Sequence, residues 1–411
     1  MKKNKWKKIL SFFLAFCMSM FSFPVSAAEK GDEPENLYAL SAALIDGESG
    51  RVLYEKNGEE KRPMASTTKI MTCILTLESD CLEEIAETSE RAAKMPKVHL
   101  GASVGERFYV KDLLYSLMLE SHNDSAVILA EHVGGSVEAF ADKMNEKAKE
   151  IGCEDTWFIT PNGLDAKEER EGEEKVHETT ARDLAQIMRY CICLSPAKEQ
   201  FLEITQTPSY HFCDVDGKRE FACRNHNAFL SMMEGAISGK TGFTAQAGYC
   251  YVGAVRKDGK TLIVALLGCG WPNNKGYKWS DTKKLMEYGL QKYNIHSFDE
   301  IDFSQYPKKM TVLGGQNKKL GEKAEISLSR VKGEEKKILL KDDEKVEVNY
   351  RGKKCLSAPV KKGEKVGKLI YKVDGEVWYK EEILAEETMK KIDFPWCLKQ
   401  VVKRYGNVEK N

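Results

Sequence analysis

The order of hydrophobic patterns along the chain constrains the fold most. Residues 38–54 alternate as two strands around a turn at residues 47–50, and several stretches between residues 66 and 191 carry apolar residues at helical spacing. Residues 236–267 alternate as strands again, and residues 281–290 return to a helix. This order predicts an α+β fold, with an antiparallel sheet flanked by helices and a helical subdomain.

A second pattern begins near residues 297–308. Beyond that point the chain consists of short alternating strands separated by charged turns. We therefore expect a first domain at residues 37–297 and a small all-β domain at residues 305–386. The charged run KEEREGEEK at residues 167–175 is interpreted as a solvated loop.

The N-terminus has the make-up of a signal peptide. Residues 1–8 are basic, residues 9–23 are apolar, and the small residues Val25-Ser26-Ala27 follow. Fifteen apolar residues are fewer than the ~20 that a membrane span needs. We therefore expect cleavage after Ala27, with residues 1–27 as the signal peptide and an exported, extracytoplasmic chain in the cell wall or at the outer face of the membrane. Basic and acidic residues are equal in number, 63 each, which argues against a nucleic-acid partner.

Cysteine usage indicates buried thiols more than a disulfide framework. Eleven cysteines follow the predicted signal peptide, and an odd number cannot all pair within one chain. Several lie in apolar periodic stretches, where cysteine behaves as a small core residue. No spacing of cysteine or histidine resembles a metal site, so no metal is expected.

Ser66 and Lys69 are the first candidate catalytic residues. The motif S-x-x-K places a hydroxyl and an amine on one face of a helix, because residues three apart are neighbours there. Serine needs a base to become nucleophilic, and a lysine can serve if burial or a nearby cation lowers its pKa. The spacing alone is weak evidence, since it also occurs at Ser195, Ser280 and Ser329.

Two later motifs single out Ser66. Ser121-His122-Asn123 lies between two predicted helices, and Lys240-Thr241-Gly242 ends a strand-like run. S-x-N and K-T-G each occur once in the chain. The order S-x-x-K, S-x-N, K-T-G is the pattern of penicillin-binding proteins and class A β-lactamases.

With these motifs the chain resembles the low-molecular-mass penicillin-binding proteins that are serine-type D-alanyl-D-alanine carboxypeptidases. The resemblance runs from about Tyr38 to Leu290 and rests on the segments RPMASTTKIMT, SHNDSAVILAEHVGG, TPNGLD, HETTARDLAQIM and GAISGKTGFT. The region after residue 305 resembles the C-terminal domain of that family. Two departures stand out: His122 replaces the usual glycine of the S-G-N motif, and the loop after Leu164 carries extra charge.

The resemblance implies a penicillin-binding/β-lactamase-like fold and a role for each motif residue. Ser66 would attack the carbonyl between the terminal D-alanines of a peptidoglycan pentapeptide stem, and Lys69 would take its proton. Ser121 with Lys240 would transfer the proton to the leaving D-alanine, and Asn123 would hold the substrate amide. Lys240 and Thr241 would attract the terminal carboxylate, and Gly242 would allow the strand to approach the peptide closely. The backbone N–H groups of Ser66 and Phe243 would form the oxyanion hole.

The resemblance also implies ligands. β-Lactam antibiotics would acylate the same serine, and no cofactor is needed. Family members carry a basic side chain ahead of the last helix that reaches the substrate carboxylate, for which Lys278 is the nearest candidate.

Other functions stay open at this point. A DD-endopeptidase that cuts cross-links would share every motif. A β-lactamase is disfavoured, because no E-x-x-L-N sequence lies between Ser121 and Lys240 and because of the additional β domain. A non-catalytic wall-binding protein would not need the intact motifs, and no H-E-x-x-H sequence supports a metallopeptidase.

The tail at residues 387–411 predicts an amphipathic helix. Apolar residues recur on one face (Cys397, Leu398, Val401, Val402 and Tyr405), and the other positions include Lys399, Lys403 and Arg404. This composition is typical of a short interfacial helix, so we expect peripheral contact with a membrane. The alternative is a helix docked on the β domain.

Overall fold

The computed structural model describes residues 33–297, 307–319, 321–331 and 337–405. The chain divides into two compact units, residues 1–36 and 37–411, and the fold described below belongs to the second. The predicted signal peptide at residues 1–27 lies outside the described residues.

Nineteen strands occur in the described part of the chain. They are β1 (Ser41–Asp46), β2 (Val52–Lys56), β3 (Ile85–Glu87), β4 (Arg107–Tyr109), β5 (Lys167–Arg170), β6 (Glu173–Val176), β7 (Ser209–Cys213), β8 (Glu220–Arg224), β9 (Ala236–Thr244), β10 (Gly248–Lys257), β11 (Lys260–Leu267), β12 (Asn294–Ser297), β13 (Lys309–Leu313), β14 (Glu325–Arg330), β15 (Lys337–Leu340), β16 (Val346–Gly352), β17 (Leu356–Ser357), β18 (Lys365–Val373) and β19 (Glu376–Ala385).

The helices lie mainly between β2 and β9. They are α1 (Lys69–Glu78), α2 (Glu90–Ala93), α3 (Val110–Tyr115), α4 (Asn123–Gly134), α5 (Val137–Ile151), α6 (Ala181–Arg189), α7 (Lys198–Gln206), α8 (Phe229–Met232), α9 (Tyr277–Lys292) and α10 (Phe394–Tyr405). A 3₁₀ helix at Ala65–Thr68 leads into α1, and π-helical turns at Ser116–Glu120 and Tyr190–Leu194 follow α3 and α6.

The central sheet is antiparallel, with the strand order β2-β1-β11-β10-β9. The β10–β11 hairpin turns at Asp258 and Gly259, whose φ angles of 53° and 74° match the two-residue turn that favours this dipeptide. Among the described strands, β9 is paired only with β10, so its other edge is open. The K-T-G motif therefore lies on an edge strand.

Both faces of the sheet are covered. Along β11, Ile263, Ala265 and Leu267 face the large core formed with the helical subdomain, whereas Leu262 and Val264 face a second core under α9. This alternation follows from the two-residue period of a strand. The predicted fold class, an antiparallel sheet flanked by helices, is confirmed.

The described residues between 309 and 385 form strands and no helix, so the predicted small β domain is all β. Its six-stranded sheet has the order β16-β18-β19-β14-β13-β17, and β15 pairs with β12. A separate cluster of buried apolar residues forms its core, including Ile326, Leu369 and Tyr371. At the junction the Arg51 guanidinium donates to both carboxylate oxygens of Glu344, at 2.9 and 2.5 Å, and to the carbonyl of Leu339 at 2.7 Å.

The interpretation of KEEREGEEK as a loop is wrong. Residues 167–170 and 173–176 form the hairpin β5–β6, which turns at Glu171 and Gly172 with φ angles of 55° and 82°. Trp157 supports this hairpin, because its indole N–H donates to Glu168 and its ring lies under the guanidinium of Arg170. The charged composition concealed a strand pattern that one large aromatic side chain stabilises.

The tail helix and the cysteines follow their sequence patterns. Helix α10 forms at the predicted place, and none of its residues is buried. Among the described residues, no helix is long and apolar enough to cross a membrane. All eleven cysteines that follow the predicted signal peptide are free thiols, seven of them buried, which confirms the expectation that most are buried thiols.

Candidate active site

Ser66 and Lys69 lie at the junction of the 3₁₀ helix and α1. The change of helix type at Thr68 keeps the two side chains on one side, and the Lys69 amine lies 2.8 Å from the Ser66 hydroxyl. Lys69 is fully buried, whereas Ser66 is partly exposed. The structure thus places a buried amine beneath a hydroxyl that ligands can reach.

Two further oxygen atoms surround the Lys69 amine. They are the side-chain oxygen of Asn123 at 2.9 Å and the backbone carbonyl of Asn162 at 2.7 Å. Both can only accept hydrogen bonds. A neutral amine has two N–H groups and one lone pair, so donation to these two acceptors leaves the lone pair facing Ser66. This arrangement orients Lys69 as a base toward the serine hydroxyl.

The electrostatic environment favours that neutral form. Burial, and then the positive charge of Lys240, lower the pKa of Lys69 well below its ordinary value, and the charge of Asp124 opposes this effect. Burial also lowers the pKa of Lys240 to about 7. The two lysines therefore disfavour being charged together.

Ser121 and Lys240 form the second pair. The Lys240 amine donates to the Ser121 hydroxyl at 2.9 Å and to the carbonyl of Thr241 at 2.9 Å. Ser121 follows a π-helical turn and has φ of +67°, in the left-handed region that a residue with a Cβ rarely adopts. The unusual backbone carries its side chain from the end of one helix to the edge strand of the sheet.

Gly242 sets how closely β9 approaches Ser66. A Cβ atom at Gly242 would lie 3.0 Å from the backbone nitrogen of Ser66 and 3.1 Å from the carbonyl of Met64. A side chain there would separate the strand from the 3₁₀ helix. Phe243, the next residue, is 41% exposed, and its ring packs against Tyr249 on β10.

The structure thus brings together the residues predicted from the three motifs. The Lys69 amine makes hydrogen bonds with both Ser66 and Asn123, and the Lys240 amine makes one with Ser121. Their neighbours Thr241, Gly242 and Phe243 continue along the same strand.

Sequence reasoning quoted TPNGLD for the family resemblance but assigned no role in the site to the loop at residues 159–164. This loop supplies the Asn162 carbonyl to Lys69, and the Pro161 carbonyl accepts from the hydroxyl of Thr72 at 2.6 Å. Gly163 has φ of +85°, and a Cβ there would lie 2.0 Å from the carbonyl of Ala65. The Pro-Asn-Gly tripeptide signals a turn, but its contribution to the site is a backbone carbonyl.

His122 lies away from the lysine–serine contacts. Its Nδ1 atom is 2.8 Å from the hydroxyl of Ser116, which is 2.7 Å from that of Ser125. Burial lowers the pKa of His122, so the ring favours its neutral form. Next to this motif, the carboxylate of Asp124 accepts four backbone N–H groups, three of them from Leu100, Gly101 and Ala102, and so fixes the loop beside Asn123.

Lys278 lies at the beginning of α9. Its amine donates to the carbonyl of Lys275 at 2.8 Å and lies 4.7 Å from the ring centroids of both Tyr249 and Trp279. Burial lowers the pKa of Lys278. Its contact with Tyr249 connects it to the strand that pairs with β9, and a role in carboxylate binding stays a prediction.

The site has the parts of a serine acyl-transfer enzyme. A nucleophilic hydroxyl, a buried amine as base, and a second serine–lysine pair line the open edge of an antiparallel sheet. The fold and the site together define a serine-type hydrolase that uses lysine in place of histidine.

Comparison with known proteins agrees with this class. Residues 28–270 match the family described as D-alanyl-D-alanine carboxypeptidase, and residues 302–391 match the family described as penicillin-binding protein 5, C-terminal domain. The chain is 31% identical to the D-alanyl-D-alanine carboxypeptidase DacF of Bacillus subtilis, over 96% of this chain and 98% of that protein.

The chain is also similar to an endopeptidase and to a solved penicillin-binding protein. A D-alanyl-D-alanine endopeptidase of Escherichia coli is 30% identical over 55% of this chain and 70% of its own length. The crystal structure of penicillin-binding protein 5 from Haemophilus influenzae aligns with a TM-score of 0.68 and 24% identity, over 88% of this chain and all of that one. This chain belongs to the family of serine-type D-alanyl-D-alanine carboxypeptidases.

Proposed function

We propose that this protein is an exported D-alanyl-D-alanine carboxypeptidase that removes the terminal D-alanine from peptidoglycan stem peptides through an acyl-enzyme on Ser66. The observation that carries the proposal is the position of the buried Lys69 amine, 2.8 Å from the Ser66 hydroxyl with its other contacts on two acceptors. That geometry prepares one serine for attack on a carbonyl.

Substrate binding follows from the open edge of β9. A stem peptide in extended form adds to this edge as a further strand, and main-chain hydrogen bonds supply its affinity. The positive charge of Lys240 and the hydroxyl of Thr241 attract the terminal carboxylate, and the amide of Asn123 holds the substrate amide. The N–H groups of Ser66 and Phe243 receive the developing oxyanion, an interaction typically worth about 10²–10³ in rate.

The chemical steps use the two serine–lysine pairs in turn. Lys69 takes the proton of Ser66 as the hydroxyl attacks the carbonyl between the two D-alanines. Ser121 with Lys240 then passes that proton from Lys69 to the nitrogen of the departing D-alanine, which leaves an ester on Ser66 and returns Lys69 to its neutral form. Water attacks this ester, Lys69 again serves as base, and the shortened peptide is released.

The experiment is hydrolysis of a diacetylated tripeptide that ends in Lys-D-Ala-D-Ala. We expect the purified protein to release D-alanine and the Ser66→Ala variant to release none. A folded wild-type protein that releases no D-alanine would contradict the proposal.

Cleavage of cross-links is the second candidate, because a D-alanyl-D-alanine endopeptidase of E. coli is 30% identical over 55% of this chain. Purified cross-linked muropeptide dimers, analysed by mass spectrometry, separate the two activities. Conversion of dimers to monomers at a rate above that of D-alanine release from pentapeptides would favour the endopeptidase.

β-Lactams are proposed as acylating inhibitors of the same serine. Supporting observations are the match to the penicillin-binding protein 5 C-terminal domain and the Ser66 site itself. A β-lactam presents a strained amide where the substrate presents its D-Ala-D-Ala amide.

Export and membrane contact complete the proposal. The basic and apolar segments of residues 1–27 support export. For the tail, the exposed apolar residues of α10 support an interfacial helix; Phe394 is 78% exposed and Val402 is 61% exposed. The docked-helix alternative would bury one face of α10, and none of its residues is buried.

A further inference from the structure

His177 is a buried histidine that takes no part in the mechanism above. It is 1% exposed and lies just before α6, far along the chain from the catalytic motifs. Its Nε2 atom is 2.9 Å from the hydroxyl of Thr68, and its Nδ1 atom is 2.9 Å from the N–H of Ile159 and 3.3 Å from that of Thr160. One ring therefore joins the end of the 3₁₀ helix, immediately before Lys69, to the loop at residues 159–164.

The contacts define the protonation of the ring. Backbone N–H groups only donate, so Nδ1 must accept from Ile159 and Thr160 and carries no proton. Burial lowers the pKa of His177 to about 3, so the ring is neutral and its proton is on Nε2. The Nε2–H group consequently donates to the Thr68 hydroxyl.

The two segments that His177 joins meet again at the catalytic amine. Thr68 immediately precedes Lys69, and the loop that begins at Ile159 delivers the Asn162 carbonyl to the Lys69 amine at 2.7 Å. That carbonyl is one of the two acceptors that leave the lone pair of Lys69 facing Ser66. A shift of the loop would remove an acceptor and allow the lone pair to turn away from the serine.

We propose that His177 is a positioning residue for acylation, which ties the loop at residues 159–164 to the catalytic helix so that the Asn162 carbonyl orients the amine of Lys69 toward Ser66. The proposal rests on the proposed function, because it concerns the acylation of Ser66. It predicts that loss of the two hydrogen-bonding ends of the ring slows the chemical step and leaves ligand binding on β9 unchanged.

The test compares His177→Leu with His177→Gln, using a fluorescent penicillin as the acylating probe. Leucine fills the space without hydrogen bonds, whereas the tip of glutamine carries both an acceptor and a donor. Concentration series give the acylation rate constant and the dissociation constant of the preceding complex separately. His211, an exposed histidine on β7, supplies the control variant His211→Ala.

We expect the acylation rate constant of His177→Leu to fall about 100-fold, the scale that misplacement of a reacting group can cause, with the dissociation constant unchanged. His177→Gln is expected to retain most of the wild-type rate. Thr68→Val removes only the hydroxyl that accepts from Nε2–H, and it is expected to slow acylation about tenfold. This variant replaces His177→Leu in the test if the leucine variant does not fold.

The outcomes separate the two proposals. Equal acylation rates in wild type and His177→Leu, or a loss that appears in the dissociation constant alone, would overturn the role of His177. A loss in His177→Gln as large as in His177→Leu would do the same, because it would show sensitivity to any change at this position. A wild-type protein that takes no label would instead overturn the proposed function, and the role of His177 with it.

Discussion

The amine of Lys240 donates a hydrogen bond of 2.9 Å to the hydroxyl of Ser121, and so links the edge strand of the sheet to the end of a helix. Burial lowers the pKa of the same amine to about 7. The residue proposed as both proton relay and carboxylate anchor therefore changes charge near neutral pH.

Carboxylate binding should depend on pH through Lys240. The free lysine is charged below about pH 7 and neutral above it, and a bound carboxylate favours the charged form. We expect the affinity of Ser66→Ala for a peptide ending in D-Ala-D-Ala to fall as pH rises above about 7, with proton uptake on binding. Calorimetry in buffers of different ionisation enthalpy measures both. Lys240→Arg in the same background keeps its charge, so proton uptake that persists in this double variant would contradict the assignment.

Lys69→Arg should abolish acylation and leave the fold intact. Arginine cannot lose its proton in a protein, so it cannot act as the base toward Ser66. The measurement is labelling by a fluorescent penicillin, with circular dichroism and the melting temperature as controls for folding. Near-normal labelling of the folded variant would show that another group deprotonates Ser66.

Gly242→Ala should impair catalysis through the position of β9. The added Cβ would lie 3.0 Å from the backbone nitrogen of Ser66, so the strand must move away from the nucleophile. We expect kcat for D-alanine release to fall about 10²-fold, the effect of losing one oxyanion donor. Gly276→Ala is the matched control, because a Cβ at Gly276 meets nothing within 4 Å. A similar fall of kcat in both variants would show that the close contact between Gly242 and Ser66 is not the cause.

The penicilloyl-enzyme should turn over slowly. The chain has no E-x-x-L-N glutamate between Ser121 and Lys240 to activate water toward the ester. Mass spectrometry after incubation with penicillin should find a long-lived adduct on the peptide that contains Ser66. Penicillin hydrolysis at about ten turnovers per second, a typical enzyme rate, would favour a β-lactamase instead.

The tail should bind anionic membranes weakly and reversibly. The apolar face of α10 is short, and nearby Lys399, Lys403 and Arg404 each add about 1 kcal/mol at an anionic surface. Co-sedimentation with anionic liposomes should therefore be lost when salt is raised or when the chain ends at Lys391. If the full-length protein and the chain that ends at Lys391 pellet equally, or if neither pellets at low salt, the tail is not a membrane anchor.

The motifs predicted the side chains of the site, and the fold class followed from the order of hydrophobic patterns. Ser66, Lys69 and Lys240 carry distinctive chemistry at fixed spacing, so single-sequence reasoning could find them. The carbonyl of Asn162 could not be found in this way, because every residue has a carbonyl and only the fold decides which one reaches Lys69.

The contacts of His177 and the β5–β6 hairpin were missed for related reasons. A histidine in the segment before a helix gives no sign of partners more than a hundred positions away, as Thr68 is. In the hairpin, charged residues occupy both strands, so no apolar alternation marks the strands. The indole of Trp157 stabilises the hairpin through its hydrogen bond to Glu168. Long-range contacts of single side chains decide both features.

The open edge of β9 has a consequence for the evolution of drug resistance. Its hydrogen-bonding groups belong to the main chain, so no substitution other than one to proline can delete them. Under the proposed function, a penicillin that occupies the same edge as the stem peptide could not be rejected by exchanging a contact residue on the strand without loss of the peptide substrate. Selection for resistance would act instead on the surroundings of the strand, such as the loop at residues 159–164 and the S-x-N turn, or on how fast the ester is hydrolysed.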